Sequence, residues 1–261
     1  MSFDISDILR DWPYEPGRLA ARKIRGQDGT EKIQLRLDLG LLQMEVSGRP
    51  DGAHPNGCDS LLDYHEKQLE LYHQKHGTTE GYTLDGEACD LLRAEALLYY
   101  HRYVAEFVLE DFQAVERDTA RNLRLMDFCT AYASQPSDRA ALEQHRPYVM
   151  MMQTRARCQA HLAADRPEAA WIAVQQGIEE IQDVYTRTSQ ENAAEDSAEL
   201  AVLKALAEDL RARVPVDPLA QLKKALAKAV AEERYEEAAA IRDRIRRVSV
   251  HKAPPEGTGQ A

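Results

Sequence analysis

Between about residue 58 and residue 213, apolar residues recur every three or four positions, the spacing that places them on one face of an α-helix. Ala, Leu, Glu, Arg and Gln, which favour helix, are abundant relative to Val, Thr and the aromatic residues. We therefore predict a mainly α fold and disfavour an all-β one. The first helix of this pattern carries Leu61, Leu62, His65, Leu69 and Tyr72.

Two longer segments, about 86 to 133 and about 139 to 187, are each interrupted once by a short acidic turn, near residues 110 and 165. Short connections of this kind place consecutive helices antiparallel and in contact. The pairs loosely resemble the helix-turn-helix unit of tetratricopeptide-like repeats. Their turns lie about 54 residues apart, however, against about 34 in the standard repeat. We expect antiparallel helical pairs in one repeat-like body.

The first 57 residues carry a different pattern. Residues 31–39 alternate between apolar and polar side chains, which is the period of a half-buried strand. The apolar positions are Ile33, Leu35, Leu37 and Leu39. An extended run before them is followed by Asp28-Gly29, which favours a tight turn because glycine accepts positive φ. A β-hairpin is predicted, followed by a glycine- and proline-rich loop over 48–57.

A proline marks the expected end of the helical body. A polar, acidic stretch after Arg187 leads into a helix over about 197–213, and Val214-Pro215-Val216 stops that helix. We expect a hinge at this boundary. The expected segments are an N-terminal hairpin and loop (1–57), a helical repeat-like body (58–213), a terminal helical hairpin (217–250) and a flexible tail (251–261).

Charge and cysteine usage both favour a cytoplasmic protein. The formal net charge of −11 opposes attraction to phosphate backbones or anionic membranes. No apolar run approaches the roughly 18 residues of a membrane span, and the acidic start MSFDISDILRDW is unlike a signal peptide. No C-x-x-C pair is present, so we expect reduced thiols that pack as small hydrophobes at Cys58, Cys89, Cys129 and Cys158.

The terminal hairpin is predicted to start at Asp217-Pro218, since an Asp side chain accepts backbone N–H groups and Pro suits the first helical position. Two apolar stripes follow, separated by the charged turn Glu232-Glu233-Arg234. They comprise Leu219, Leu222, Leu226, Ala229 and Val230, then Tyr235, Ala238, Ile241, Ile245 and Val248. Two such short helices are marginal alone, so we expect the hairpin to dock on another surface or on a copy of itself.

The segment LKKALAKAVAEERYEEAAAIRDRIRRV, from Leu222 to Val248, resembles the UvrB/UvrC (UVR) motif without a gap. The matching positions are Tyr235, Glu236-Glu237, Ala238-Ala239, Ile241, Arg242-Asp243 and Ile245. In the excision-repair proteins this hairpin is a contact element between subunits, and similar hairpins occur in Clp-type chaperone ATPases and in activators of protein arginine kinases. The chain is also similar to small bacterial proteins that carry a UVR motif. The resemblance implies a module and not an activity.

That resemblance implies a partner-binding surface made of Leu222, Leu226, Tyr235, Ala238, Ala239, Ile241, Arg242, Asp243 and Ile245. Between Pro218 and Lys252, nine Lys or Arg stand against five Asp or Glu, a balance of +4 that leaves −15 for the remainder. This contrast favours contact with an acidic partner or with the acidic body of the same chain. The helix dipole alone also accounts for the basic residues of the last turn.

Two other candidates lie in the N-terminal half. His65, His73 and His76 fall on one predicted helix, where a metal is conceivable, although no H-E-x-x-H pattern is present. The loop over 48–57 holds Asp51 and His54 and is the alternative binding or catalytic site. Ordinary turns and solvated helix-end positions explain the same residues, and we favour that interpretation. A pocket that joined Asp51, His54 and His65 would support an enzyme.

The preferred hypothesis is a non-enzymatic adaptor, without a cofactor, that uses the UVR-like hairpin to bind a protein partner or a second copy. A phosphate loop, paired zinc-binding cysteines and a nucleophile-base constellation are all absent from the sequence. The alternative is an accessory protein of nucleotide-excision DNA repair that contacts a repair subunit or DNA. Only the terminal helix offers a short basic cluster, so nucleic acid is disfavoured as a partner and no membrane partner is expected.

Overall fold

The computed structural model describes residues 4–188, 190–212, 226, 230, 234–235 and 238–242. The chain falls into two compact units, Met1–Arg211 and Ala212–Ala261. The first is mainly helical and carries an antiparallel sheet near its N-terminus, as the sequence predicts. Among the described residues, none of the helices combines the length and apolar character needed to cross a bilayer.

The first unit begins with a short helix α1 (Ser6–Arg10), three strands, β1 (Ala21–Arg25), β2 (Glu31–Arg36) and β3 (Leu41–Glu45), and a 3₁₀ turn (Pro55–Gly57). Six helices follow: α2 (Leu61–His76), α3 (Gly86–Val108), α4 (Phe112–Tyr132), α5 (Pro136–Glu143), α6 (Arg146–Ala163) and α7 (Pro167–Arg187). The polar stretch after α7 contains the short helix α8 (Glu191–Glu195) and leads into α9 (Ala198–Arg211).

The N-terminal sheet has three strands in the order β1-β2-β3, and the predicted hairpin forms the first two of them. The prediction that the second strand runs to Leu39 is wrong, because β2 ends at Arg36 and the chain then turns back. The turn is closed by the Leu37 N–H, which donates to the Gly40 carbonyl at 2.9 Å. Leu39 at its tip is 88% exposed, and residues after Gly40 form the third strand.

Strand β2 is buried on both faces, and the predicted half-buried strand is wrong in this respect. Ile33 and Leu35 pack with Ala105 of α3 on one face. On the other face, Gln34 accepts a hydrogen bond from Arg22 and donates one to Gln43 across the sheet, both at 2.9 Å. Polar side chains can be buried here because their neighbours supply hydrogen bonds.

The two predicted turns are alike in detail. Glu110 and Asp165 both adopt left-handed conformations, with φ of 59° and 54°. After α3, the Asp111 N–H donates to the Glu106 carbonyl at 2.9 Å, and after α6 the Arg166 N–H donates to the His161 carbonyl at 2.9 Å. Each is the six-residue closure of a Schellman motif, which satisfies the last carbonyls of a helix. Both helices therefore stop by the same mechanism.

The helices pack in succession, α3 on α4, α4 on α6, α6 on α7 and α7 on α9, with the sheet against α3. The predicted antiparallel pairs and the position of the N-terminal strands against the body are thereby confirmed. The helices approach closely at Gly177 of α7, which faces Thr154 of α6. The buried residues Cys89, Cys129 and Cys158 lie in the core, as expected of small hydrophobic side chains.

Candidate functional site

Part of the predicted partner-binding surface falls within the described residues of the second unit. Positions 226, 230, 235 and 238–242 are helical, and the Ala238 N–H donates to the Arg234 carbonyl at 2.9 Å, the spacing of an α-helical hydrogen bond. Leu226 and Ile241 are half-buried, whereas Ala239 and Arg242 are exposed. The remaining predicted contact residues, Leu222, Asp243 and Ile245, lie outside the described part of the chain.

Burial differs sharply between the two ends of this short stretch. Ala238 is only 8% exposed, while Tyr235, one turn earlier, is 68% exposed. Val230 is also exposed to more than half of its surface. An exposed tyrosine offers a large apolar area with a polar tip, which is the combination enriched at protein interfaces. The Tyr235 side chain is therefore largely open to solvent, whereas Ala238 is buried.

A buried ionic network in the body is the main concentration of charge that sequence reasoning missed. Arg102 of α3, 1% exposed, forms a bidentate pair with Asp118 of α4, at 2.6 and 2.9 Å. The same guanidinium donates to the carbonyls of Glu45 and Gly48 at 3.0 and 2.8 Å. One side chain thus joins two helices to the end of β3 and the loop after it.

A second buried carboxylate, Glu95, extends the network toward α2. Its oxygens accept the backbone N–H groups of Leu61 and Leu62 at 2.7 and 3.2 Å, in the first turn of α2. Arg121 of α4 pairs with the same carboxylate, and Arg49 of the loop lies 3.5 Å from it. A carboxylate at a helix N-terminus is favoured by the helix dipole and by the unpaired N–H groups there. Glu95 therefore fixes α2 and the loop on the helical pair.

Glu106 of α3 is the third buried carboxylate of the network. It is fully buried and pairs with Arg117 at 2.8 Å, and it lies 3.7 Å from Arg102. Burial, together with the nearby charge of Asp118, raises the pKa of Glu106 to about 8. One of its carboxylate oxygens has no hydrogen-bond partner among the described residues. The Glu106 side chain is fully buried in the core.

The histidines predicted as candidate ligands do not converge on one site. His73 and His76 are exposed near the end of α2, and the His76 ring stacks on Tyr72 with centroids 4.3 Å apart. His65 is half-buried, and this burial lowers its pKa. Among the described residues, no group of three or more His, Cys, Asp or Glu is arranged to hold a metal ion.

The loop over 48–57 forms turns, as the favoured interpretation has it. Gly48, Gly52 and Gly57 all adopt positive φ, and Asp51 pairs with Arg49 at 3.1 Å. His54 lies 3.6 Å from Asp59. Asp51 instead borders a shallow cavity of about 90 Å³ beside α3, so Asp51 and His54 have different neighbours. These contacts do not support a pocket that joins Asp51, His54 and His65, which is the arrangement expected of a catalytic site at this loop.

Residues 217–249 match the family model described as the UvrB/uvrC motif, UVR. The match contains the whole segment from which the resemblance is recognised in the sequence, and it confirms that resemblance. No curated protein and no solved structure gives a significant match to the chain. UVR motifs are found in nucleotide-excision repair proteins, where they mediate protein interactions. The chain therefore carries a C-terminal UVR motif, a protein-interaction module, on a mainly helical body.

Proposed function

We propose that the protein is a non-enzymatic, cytoplasmic adaptor whose UVR hairpin binds a protein partner. The match of residues 217–249 to the UVR family model is the observation that carries this proposal. The exposure of Tyr235 supports it, because a large aromatic side chain at the surface is the type of residue that contributes most to binding energy at interfaces.

Charge supports an acidic surface on the partner. The hairpin from Pro218 to Lys252 has a balance of +4, opposite in sign to the −11 of the whole chain. Complementary charge accelerates encounter and selects among partners more than it adds affinity. The association rate should therefore fall as ionic strength rises, while the apolar residues of the hairpin supply most of the affinity.

The chemistry of the body supports a role in binding without catalysis. Arg102, Asp118 and Glu95 are all buried. Arg102 of α3 pairs with Asp118 of α4 and donates to a backbone carbonyl at the end of β3, and Glu95 of α3 accepts a backbone N–H of α2. Removing one partner of such a buried pair is strongly destabilising, because the other charge is left desolvated. These charges hold the sheet, the loop and α2 on the helical pairs, so we assign them a structural role.

Capture from the source cytoplasm tests the adaptor proposal. The immobilised intact chain is compared with a chain that ends at Arg211, and retained proteins are quantified by mass spectrometry. We expect specific partners only with the intact chain, and circular dichroism must show that the shortened body keeps its helices. If both chains retain the same proteins in the same amounts, the hairpin is not the contact element.

Self-association through the hairpin is a distinct outcome of the same design. Light scattering coupled to size-exclusion chromatography gives the molar mass of the intact chain, which is 29.5 kDa as a monomer. A mass of twice that value that reverts to the monomer in the shortened chain identifies a second copy as the partner.

A role beside the excision-repair machinery is the second candidate, favoured by the family model, which is named for UvrB and UvrC. Binding of purified excision subunits to the intact chain tests it directly. Direct DNA binding would appear as an affinity that falls steeply with salt concentration. We expect protein contact and little DNA affinity, since the chain has an acidic net charge.

A further inference from the structure

Four helices of the body enclose a cavity that has no part in the proposed adaptor surface. It has a volume of about 310 Å³ and lies between α3, α4, α5 and α6. Its walls are mainly apolar and aromatic, and include Ala96, Tyr100, Tyr103, Met126, Tyr148 and Val149. Partly enclosed, apolar pockets of about 300 Å³ or more with a few polar groups are typical of small-molecule sites.

Three tyrosine side chains converge on this cavity. The Tyr100 ring packs edge-on against Tyr103 with centroids 5.5 Å apart and lies 6.0 Å from the ring of Tyr148. Tyr103 is only 1% exposed, and its hydroxyl has no hydrogen bond to any other described residue. Burial raises the pKa of Tyr103, so its hydroxyl keeps its proton and can donate. The hydroxyl oxygen is not among the fully buried unpaired side-chain atoms of the described residues, so it keeps some solvent contact and is open to a hydrogen bond from water or a ligand.

The guanidinium and the amide of the cavity wall, Arg93 and Asn122, are already paired, and His145, which also lines the cavity, is exposed to solvent. Arg93 lies 3.3 Å from Asp138 and also pairs with Asp90. Asn122 donates to the Ala96 carbonyl at 3.0 Å and accepts from Arg121 at 3.1 Å. No uncompensated charge is therefore offered to a ligand by these groups, and a charged ligand would lose hydration without gaining an ion pair.

Size and shape restrict the ligand further. A cavity of about 150 Å³ lined by apolar side chains binds benzene, and this cavity is about twice as large. Aromatic walls favour flat rings, which pack edge-on or offset against tyrosines. We propose that the cavity between α3, α4, α5 and α6 is a binding site for an uncharged aromatic compound of two fused rings that hydrogen-bonds to the Tyr103 hydroxyl.

Titration of the full chain with 2-naphthol tests this site, with 2-naphthoate as the charged probe of the same shape. Binding is measured by calorimetry and by line broadening of the probe in NMR spectra. Ala141→Phe adds a ring at the cavity wall, and Ala140→Phe adds the same ring at the neighbouring exposed position of α5. Tyr103→Phe removes only the hydroxyl.

We expect saturable binding of 2-naphthol with a Kd below about 1 mM, and binding of 2-naphthoate weaker by about tenfold or more. Ala141→Phe should abolish binding and Ala140→Phe should leave it unchanged. Tyr103→Phe should weaken binding by about 3- to 10-fold, as expected for one lost hydrogen bond.

The absence of saturable 2-naphthol binding to the intact chain would overturn the proposal, as would undiminished binding to a folded Ala141→Phe variant. Circular dichroism and thermal unfolding establish whether that variant folds. Should it not fold, Tyr103→Phe decides: an unchanged Kd places the probe elsewhere and overturns the assignment, whereas a weakened one supports it.

Discussion

At the scale of single residues, Arg102 joins more parts of the body than its position in a helix suggests. It pairs with Asp118 and donates to two carbonyls at the end of the sheet. Loss of its side chain leaves Asp118 buried with one remaining cation, Arg117, which is partly exposed. Removing one partner of a buried ion pair costs more than the pair itself contributes, because the other charge stays desolvated.

Arg102→Ala should therefore lower the free energy of unfolding by about 3–5 kcal/mol, measured by urea denaturation. Arg124→Ala is the matched control, since Arg124 pairs with Asp63 and Glu66 at a site where more than half of its side chain is exposed. Exposed pairs contribute about 0–1 kcal/mol. Equal losses in the two variants would contradict the role assigned to Arg102.

Glu106 makes stability depend on pH in a direction opposite to that of most carboxylates. Its pKa is raised from 4.5 to about 8 by burial and by Asp118, so the folded state keeps a proton that the unfolded state has already lost. Between these two values the folded chain binds more protons, and raising the pH therefore lowers the free energy of unfolding. The limiting slope for one proton is about 1.4 kcal/mol per pH unit.

Glu106→Gln should remove the part of the pH dependence that comes from Glu106. From pH 5 to pH 8, which lies inside the window set by the raised pKa, the free energy of unfolding should therefore fall less in the variant than in the unmodified chain. Denaturant unfolding at both pH values measures the difference. Glu87→Gln, at an exposed position in the first turn of α3, controls for the loss of one carboxylate. A pH dependence equal to that of the unmodified chain would refute the assignment.

The burial of these charges could not be predicted from the sequence, although their spacing holds a partial signal. Glu95, Arg102 and Glu106 stand seven and four residues apart, which places them on one face of α3. Charges at helical spacing usually form a solvated face, and only tertiary contacts with α4 and the loop after β3 identify this face as buried. The cavity is equally hidden, because its tyrosines follow the apolar spacing of an ordinary core.

At the scale of elements, the turns were predictable and the third strand was not. The short acidic turns near 110 and 165 interrupt the helical period in the sequence, and in the structure each forms a Schellman motif that ends the preceding helix. The alternation of Ile33 and Leu35 continues through Leu37 and Leu39, which conceals the reversal of the chain at Gly40. The third strand pairs with β2 across a tight turn, with Arg36 opposite Leu41, and the unbroken apolar-polar period gives no sign of that turn.

The left-handed residue of each turn gives an element-scale prediction. An L-residue in the left-handed conformation costs about 1–2 kcal/mol, and glycine removes this cost. Part of the gain is lost again, because glycine also raises the conformational entropy of the unfolded chain. Asp165→Gly should thus raise the free energy of unfolding by about 0.5–1 kcal/mol. Ala164→Gly, at an adjacent exposed residue with φ of −92°, should lower it by a similar amount. If both substitutions shift the midpoint of thermal unfolding in the same direction, the Schellman assignment is contradicted.

Close packing of α6 on α7 depends on Gly177. A Cβ atom added there would lie 2.2 Å from the Thr154 hydroxyl and 2.5 Å from its methyl group. Gly177→Ala should lower the free energy of unfolding by about 1–3 kcal/mol despite its better helix propensity. Thr154→Ala removes both of those atoms, so the same change should cost less in that background. Independent, additive costs in this double-mutant cycle would show that the two residues do not meet.

At the scale of the whole molecule, the chain consists of two units of different content. The body builds a fixed arrangement of sheet and helices around buried charges and packed thiols, while the second unit carries the UVR motif. The motif was recognisable in the sequence because its pattern is local and specific over about 30 residues. The tetratricopeptide-like character of the body stays a prediction, as does the identity of the partner.

Tyr235 offers the most direct test of the claim that the hairpin carries partner binding. The measurement is the affinity of the immobilised chain for the partner it retains, compared among Tyr235→Ala, Tyr235→Phe and Tyr14→Ala, the last being an exposed tyrosine of the first unit. We predict that Tyr235→Ala weakens binding by about tenfold or more, as expected for an interface aromatic. Tyr235→Phe, which keeps the ring, and Tyr14→Ala should each stay within about threefold of the unmodified chain. Unweakened binding by a folded Tyr235→Ala variant would contradict the account.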